Sequence, residues 1–338
     1  MFYQCSKCKK VWQYPVEKCP DCFLKLDRLE NKKIKVIGVS KVTIPTLFHP
    51  KAPYFVLVLE DEKGNKWVQK SVREYKIGDN FEIQKSRDKN AVAIWRIKYD
   101  VLEGIEKVIE IIGDLDLKEN SKILILPSLY KASHSYFRDN TSPEFLQATL
   151  NFLFQKGFKP ENIKIGAQSF DETSVESKAK KSGLLDVCLK NKISPSDLSK
   201  TKFIKKENFE ISEEAFKSDF ILNLPILKMG KASASENPFF LLKKENYLRL
   251  KHLSEDKEIF ENLNKVLPQC LTVAEADSIQ DLEKFTTFFG LAIASLNALN
   301  IDRIFFEITK KGELPEILKE IKIENIPILG RKIEEVAL

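Results

Sequence analysis

Cys5, Cys8, Cys19 and Cys22 form two C-x-x-C pairs at the start of the chain, separated by ten residues, and four thiolates at that spacing can close around one tetrahedral metal ion. Each pair places two sulfurs on one tight turn. Pro20 and Asp21 suit such a turn, and the intervening stretch, with Trp12 and Tyr14, is long enough for a short hairpin. The pattern predicts a structural zinc ribbon over residues 1–32, because four protein ligands leave no open position for a catalytic water. Iron in a rubredoxin-like site uses the same ligand set, although its knuckles usually sit farther apart, so both metals stay open. Four unrelated thiols are a poor account of a chain that places four of its six cysteines in the first 22 positions.

The other two cysteines, Cys188 and Cys270, lie in apolar contexts and read as ordinary buried thiols. No apolar signal-type segment follows the first methionine and no apolar run is long enough to cross a bilayer. With metal-type cysteines these features predict a reducing, cytoplasmic location and no membrane partner. A length of 338 residues with 43% hydrophobic content allows two or three domains with real cores. Basic and acidic residues number 55 and 49, interspersed, for a formal net charge of +6, which is a mild pointer to anionic ligands beside the plainer reading of a solvated lysine-rich surface.

From Lys33 to about Asp100, β-rich runs alternate with turns: KIKVIGV, PYFVLVLE, the turn DEKGN, KWVQKSV, the turn KIGDN, FEIQ and AVAIWRI. Five short strands with Gly64 and Gly78 at turns predict a small OB-like β-barrel over residues 33–100. Residues 101–115 place Val101, Leu102, Ile105, Val108, Ile109, Ile112 and Leu115 near one helical stripe. An α/β rhythm follows: KILILP as a buried strand, a helix opened by Thr141, Ser142 and Pro143, then the strands IKIGAQ, DFILNLP and CLTVAEA, a long apolar helix near 284–299, and the strands RIFFEI (303–308) and IPILG (326–330). The fold class is therefore α/β, with the ribbon and the OB-like barrel ahead of a mostly parallel-sheet domain over 101–338.

Two resemblances accompany this reading. The ribbon ending in Y-P-x-x-x-C-P-x-C, followed by H-P-K-A-P-Y-F-V-L-V-L-E and Y-K-I-G-D-N-F-E-I, resembles the zinc-ribbon/OB-fold family that accompanies thiolases and hydroxymethylglutaryl-CoA synthase-like enzymes. The resemblance covers roughly the first hundred residues. It implies an acyl-CoA-associated accessory module that docks partner enzymes, with Pro53, Tyr54 and Gly78 at fold-defining positions. From about residue 101 to 310 the chain resembles a second family, domain of unknown function 362, through the helix ending I-I-G-D-L, the segments K-I-L-I-L-P-S-L, T-S-P-E-F and D-F-I-L-N-L-P-I-L-K, L-L-K-K-E-N with K-H after it, and T-V-A-E-A-D. Members usually carry Lys-Pro-Asn where this chain has Leu126, Pro127 and Ser128, and a Lys-Asn pair where it has Lys243 and Lys244. That resemblance implies a fold and candidate positions and no substrate.

In sheets of this kind ligands gather outside the carboxyl ends of the strands. The strand DFILNLP delivers Asn223, Lys228 and Lys231 there, and Lys243 and His252 follow along the same region. These groups predict binding of a small anionic ligand, a carboxylate or a phosphate, with Asn223, Lys228 and Lys243 holding it and His252 or Asp277 moving a proton. Glu275 and Asp277 together can also hold a hard cation or act as general base, against the plainer reading of a helix N-cap at Asp277 or Ser278. His134 lies in a polar loop after the first strand. The chain has no G-x-G-x-x-G, P-loop lysine, nucleophile elbow or H-E-x-x-H, which argues against dinucleotide, NTPase, serine-hydrolase and zincin chemistry. Three functions remain: an enzyme or enzyme component for a small anionic or carrier-linked, acyl-CoA-like substrate; a single-stranded nucleic-acid binder using Phe48, Tyr54, Phe55, Trp67 and Trp95; and a non-catalytic partner-binding scaffold. The enzyme is favoured, because a scaffold has no need of polar residues collected at strand ends.

Overall fold

A computed structural model describes residues 2–13, 16, 18–29, 33–44, 52–81, 86, 88–113, 117–280 and 286–337. Tyr14, Phe48, His49, Leu115 and most of the FEIQ run lie outside them. Phe2–Cys5 (β1) pairs antiparallel with Val11–Trp12 (β2) and with Leu26–Leu29 (β3). Its apolar centre is only Leu26 with the buried Cys5 and Cys19, flanked by Tyr3, Trp12 and Val16. So small a core needs a cross-link to persist.

Ile34–Val42 (β4), Tyr54–Asp61 (β5) and Lys66–Ser71 (β6) make a second antiparallel sheet in the order β4-β5-β6. Asp61 closes the β5–β6 turn by accepting from the backbone N–H groups of Lys63 and Asn65 and from Asn65 Nδ2. Among the described residues this sheet has three strands and a bridge from Lys35 to Asn80, not a closed five-stranded barrel. The expected fifth strand is elsewhere. Val92–Arg96 (β7) belongs to the large sheet, and its Val92, Ala93 and Ile94 are all fully buried, as a strand covered on both faces must be.

Beyond Val101–Ile112 (α1) the elements are Ile123–Pro127 (β8), Pro143–Gln155 (α2), Ile163–Ala167 (β9), Val175–Ser182 (α3), Leu184–Lys190 (α4), Pro195–Asp197 (β10), the hairpin Phe203–Lys206 (β11) and Phe209–Ser212 (β12), and Glu213–Lys217 (α5). Then come Phe220–Leu224 (β13), Ser233–Glu236 (α6), Lys244–Leu253 (α7), Asp256–Val266 (α8), Cys270–Gln280 (β14), Thr286–Ser295 (β15), Ala298–Thr309 (α9), Ile328–Gly330 (β16) and Ile333–Val336 (α10). Eight strands form one sheet, ordered β10-β9-β8-β13-β14-β15-β7-β16. Only β15 runs against the others.

Strand alternation divides the apolar residues into two cores. Ile123, Ile125, Phe220 and Leu222 face α1 and α2 through Ile105, Val108, Leu146 and Leu150. Leu124, Leu126 and Ile221 face the other side, where Ile301, Ile304 and Phe305 of α9 and Ile259 and Phe260 of α8 pack. Two expectations change here. Residues 286–295, expected within a long helix, are β15, and 303–308, expected as a strand, lie in α9. Both stretches are apolar on nearly every side, so their periodicity does not separate helix from buried strand. Pairing with β14 and β7 decides the first, and the Asn297 side chain, accepting from Leu299 N–H, starts the second. Among the described residues no helix is long and apolar enough to cross a membrane.

Candidate functional site

Two equivalent turns build the metal centre. Cys5 N–H donates to Lys10 O and Lys9 N–H to Cys5 O, each at 3.0 Å; Cys19 N–H donates to Leu24 O and Phe23 N–H to Cys19 O, each at 2.8 Å. Lys9 and Phe23 occupy matching positions and share a left-handed backbone, φ 60° and 55°. The turns bring all four Sγ atoms within 4.8 Å of one another, with Cys8 and Cys19 at 3.6 Å. A tetrahedron of thiolates about 2.3 Å from a central ion has S···S edges of roughly 3.8 Å. The four sulfurs therefore fit a bound metal ion. Lys10 and Asp21 form an ion pair at 2.6 Å between the two turns.

At the carboxyl ends of β8 and β13, a buried amide pair ties three segments together. Asn223 Nδ2 donates to Thr272 Oγ1 and to Ala234 O, both at 3.1 Å, while its Oδ1 accepts from Asn237 Nδ2 at 2.7 Å. Asn237 also donates to Leu126 O at 2.9 Å and accepts from Ser128 Oγ at 3.1 Å. Both amide hydrogens of Asn223 are spent inside the protein. It orients the segment after β13, and its reach to a ligand is indirect.

Lys228 sits beside this network with its ammonium 4.3 Å from the Tyr130 ring centroid and 4.0 Å from Asp139 Oδ1. Among the described residues the ammonium makes no hydrogen bond. Asp139 is closer to Lys131, at 3.1 Å, and accepts from Ser133 Oγ at 3.0 Å. Burial therefore dominates, and it pulls the Lys228 pKa down to about 8, helped by Lys231 and Lys131 and opposed by Asp139 and Glu236. Burial likewise raises the pKa of Glu236. An aromatic shelf extends from Tyr130: its ring lies 5.5 Å from Phe240, Phe240 lies 4.8 Å from Phe170, and Phe170 stacks on Tyr247 at 5.3 Å.

Two carboxylates in this region are fully buried. Glu275 accepts from Ser142 N–H at 2.8 Å and faces Arg138 at 3.6 Å, yet burial pushes its pKa up to about 7. Asp302, on α9, accepts from the N–H groups of Ala234 and Ser235 at 2.9 and 2.8 Å and from Ser235 Oγ at 2.7 Å; burial raises it to about 7 also. Asp302 thus holds the loop that carries Lys228 and Glu236.

Of the residues singled out from sequence, Asn223 and Lys228 come to the carboxyl end of β13, while Asp277 lies inside β14. Asp277 stands where the β14–β15 register shifts, half-buried, and its pKa is raised by burial. It is in a strand and caps no helix. Lys243 lies at the start of α7, its ammonium 3.5 Å from Glu210 of β12, and His252 is exposed in the last turn of α7. No contact among the described residues joins either one to Lys228. His134 is exposed and caps a short turn, its Nδ1 accepting from Tyr136 N–H. Tyr130, Asp139, Glu236 and Asp302 escaped sequence reasoning. Only Asp302 carried a signal, as an acid inside the apolar run ALNIDRIFF.

Residues 123–234 match the model of a family described as Domain of unknown function (DUF362). The match runs from β8 into α6 and takes in Tyr130, Asp139, Asn223 and Lys228, which bears out the resemblance drawn for that part of the chain. The likeness of the first hundred residues to an acyl-CoA-associated module rests on the sequence alone. No curated protein matches the chain.

Proposed function

We propose that the chain is an enzyme, or a component of one, whose α/β unit takes a small anionic molecule at the carboxyl ends of β8 and β13. The observation that carries this reading is Lys228. An amine largely withdrawn from water, without a hydrogen bond among the described residues and sharing one carboxylate with Lys131, keeps an unmet demand for negative charge. Lys131 and Lys231 add to that demand. The aromatic rings from Tyr130 to Tyr247, the first pair edge to face and the last stacked, add apolar surface for an organic anion beside the cation.

Proton handling in this reading falls to groups already near neutrality, Lys228 itself and Glu275, with Asp277 next to the latter. Zinc held by Cys5, Cys8, Cys19 and Cys22 has a structural role, locking a ribbon whose own core is very small. The three-stranded sheet β4-β5-β6 is read as part of an OB-like module.

The test is recovery of the ligand. Purified full-length protein is denatured, and the released small molecules are identified by mass spectrometry beside those from Lys228→Ala. An acidic molecule retained near one per chain and missing from the variant supports the reading. Equal retention by both proteins overturns it.

A further inference from the structure

Lys228 has features that anion binding alone does not use. Its backbone is fixed: the N–H donates to Ser233 Oγ at 3.1 Å, the carbonyl accepts from Lys231 N–H at 3.3 Å, and Asp302 holds Ala234 and Ser235 just beyond. The Tyr130 ring beneath the side chain is fixed as well, because the buried ammonium of Lys178 donates to Tyr130 O at 2.9 Å and pairs with Asp171 at 2.8 Å. The Lys228 ammonium is thereby held 4.3 Å from the ring centroid, and it makes no hydrogen bond among the described residues. Its side chain keeps 19% of its surface exposed, so a small molecule can reach the nitrogen.

A lysine that acts only as a positive charge is stabilised by water or by a close acid. Lys228 has little of either. Asp139, 4.0 Å away, is nearer to Lys131, at 3.1 Å, and accepts from Ser133 Oγ. Burial disfavours the charged form of Lys228, and Lys231 and Lys131 add to that, against Asp139 and Glu236. An amine in such surroundings spends more time neutral, and the neutral amine carries the lone pair that attacks a carbonyl. Lys231, three positions on, is exposed, and its ammonium has no ion pair or hydrogen bond among the described residues. It is available to meet a carboxylate while Lys228 reacts.

Resting on the anion site proposed above, we infer that Lys228 is a nucleophile that forms an imine with the keto group of a 2-oxo acid. Nζ adds to the carbonyl carbon, forming a C–N bond, and the carbinolamine then loses its hydroxyl as water. Overall, one ammonium and one keto acid give a protonated imine and one water, so protons and electrons balance without a further reactant. Asp139 is placed to relay the proton, taking it from the adding nitrogen and returning it to the departing hydroxyl. The carboxylate beside the keto group meets Lys231, and Lys131 adds to the positive field. Covalent capture of this kind divides one difficult step at the neighbouring carbon into easier ones.

Reductive trapping on the full-length protein tests this. Protein is mixed with pyruvate, 2-oxoglutarate or phenylpyruvate, reduced with borohydride and mapped by peptide mass spectrometry; lactate lacks the keto group and acetone the carboxylate, so both serve as controls. At least one oxo acid should leave a borohydride-dependent adduct at Lys228, roughly tenfold or more above that at any exposed lysine, because at pH 8 an ordinary lysine is less than about 1% neutral. Lactate should leave none, and acetone less than the oxo acid. Lys231→Gln should bring the oxo-acid adduct down toward the acetone level without lowering Tm, since Lys231 is exposed. The imine is overturned if no oxo acid modifies Lys228 above the exposed lysines, and the 2-oxo acid assignment is overturned if acetone labels Lys228 as strongly. An anion retained by the parent and lost from Lys228→Ala, with no adduct in the parent, keeps the anion site and removes the imine. An adduct at Lys228 with equal anion retention by parent and variant does the reverse.

Discussion

The backbone N–H of Ser142 donates to Glu275 Oε2 at 2.8 Å, joining the first turn of α2 to β14 across 133 positions. Ser142 is also the N-cap of α2, so the carboxylate sits at the positive end of a helix. Burial nonetheless prevails and raises Glu275 from 4.5 to about 7. An acid whose pKa rises on folding binds more protons folded than unfolded, so its contribution is full below pH 4.5 and is lost as pH climbs through about 7. Asp302 acts with the same sign. Glu275→Gln keeps an acceptor for Ser142 and removes the titration. Its Tm should fall less steeply than the parent's between pH 4.5 and 7, and an identical slope would count against Glu275.

Lys228 should titrate near pH 8. Competitive amine labelling followed by mass spectrometry, run as a pH series, should place its reactivity midpoint there while exposed lysines react with midpoints near ~10.4. Asp139 raises the Lys228 pKa, so Asp139→Asn should move the midpoint further down. A Lys228 midpoint indistinguishable from those of exposed lysines would remove the basis for its role.

Cys19→Ser/Cys22→Ser should release the bound metal and unfold residues 1–32, since such a site contributes on the order of 10 kcal/mol to a ribbon-sized unit. Elemental analysis of the parent protein should find one metal ion per chain and will separate zinc from iron. Full metal retention by the double variant would be incompatible with the four-cysteine site.

The metal ligands were legible because all four lie within 22 positions and their spacing carries the chemistry. β8, β9 and β13 were legible as short apolar runs bounded by turns. β7 was legible as a strand but not in its place, because its partners are residues 291–294 and 328–330, far along the chain, while its neighbours in sequence belong to the smaller sheet. The swap at β15 and α9 arose from two mostly buried apolar stretches whose periodicity does not separate helix from strand; Asn297, a capping residue between them, was the usable boundary. Asn223 and Lys228 could be placed at a strand end from topology alone. Tyr130, Asp139 and Glu236 matter only because the loops after β8 and β13 fold against each other.

The placement of β7 bears on where the chain divides. A fragment beginning at residue 101 lacks the strand that pairs with both β15 and β16, leaving two unpaired edges and a gap in each core. Expressed alone, residues 101–338 should be insoluble or unfolded, whereas a fragment beginning near residue 86 should fold with cooperative thermal unfolding. A well-folded 101–338 fragment would show that β7 is dispensable and that the boundary at Asp100 holds.

Asn223 and Lys228 lie five positions apart, yet their substitutions should separate stability from binding. Asn223→Leu keeps similar bulk and leaves Thr272 Oγ1, Ala234 O and Asn237 Nδ2 each short of a partner in a region closed to water. An unsatisfied buried group costs about 1–3 kcal/mol, and Thr272 can rotate to ease its share, so a total loss near ~3 kcal/mol is expected in denaturant unfolding. The loop bearing Lys228 should loosen with it, and ligand retention should fall too. Lys228→Ala removes an ammonium with no hydrogen bond to lose among the described residues, and its stability should change by less than ~1 kcal/mol while retention disappears. A large stability loss in Lys228→Ala would mean that the lysine holds the loop together, leaving no spare charge for a ligand.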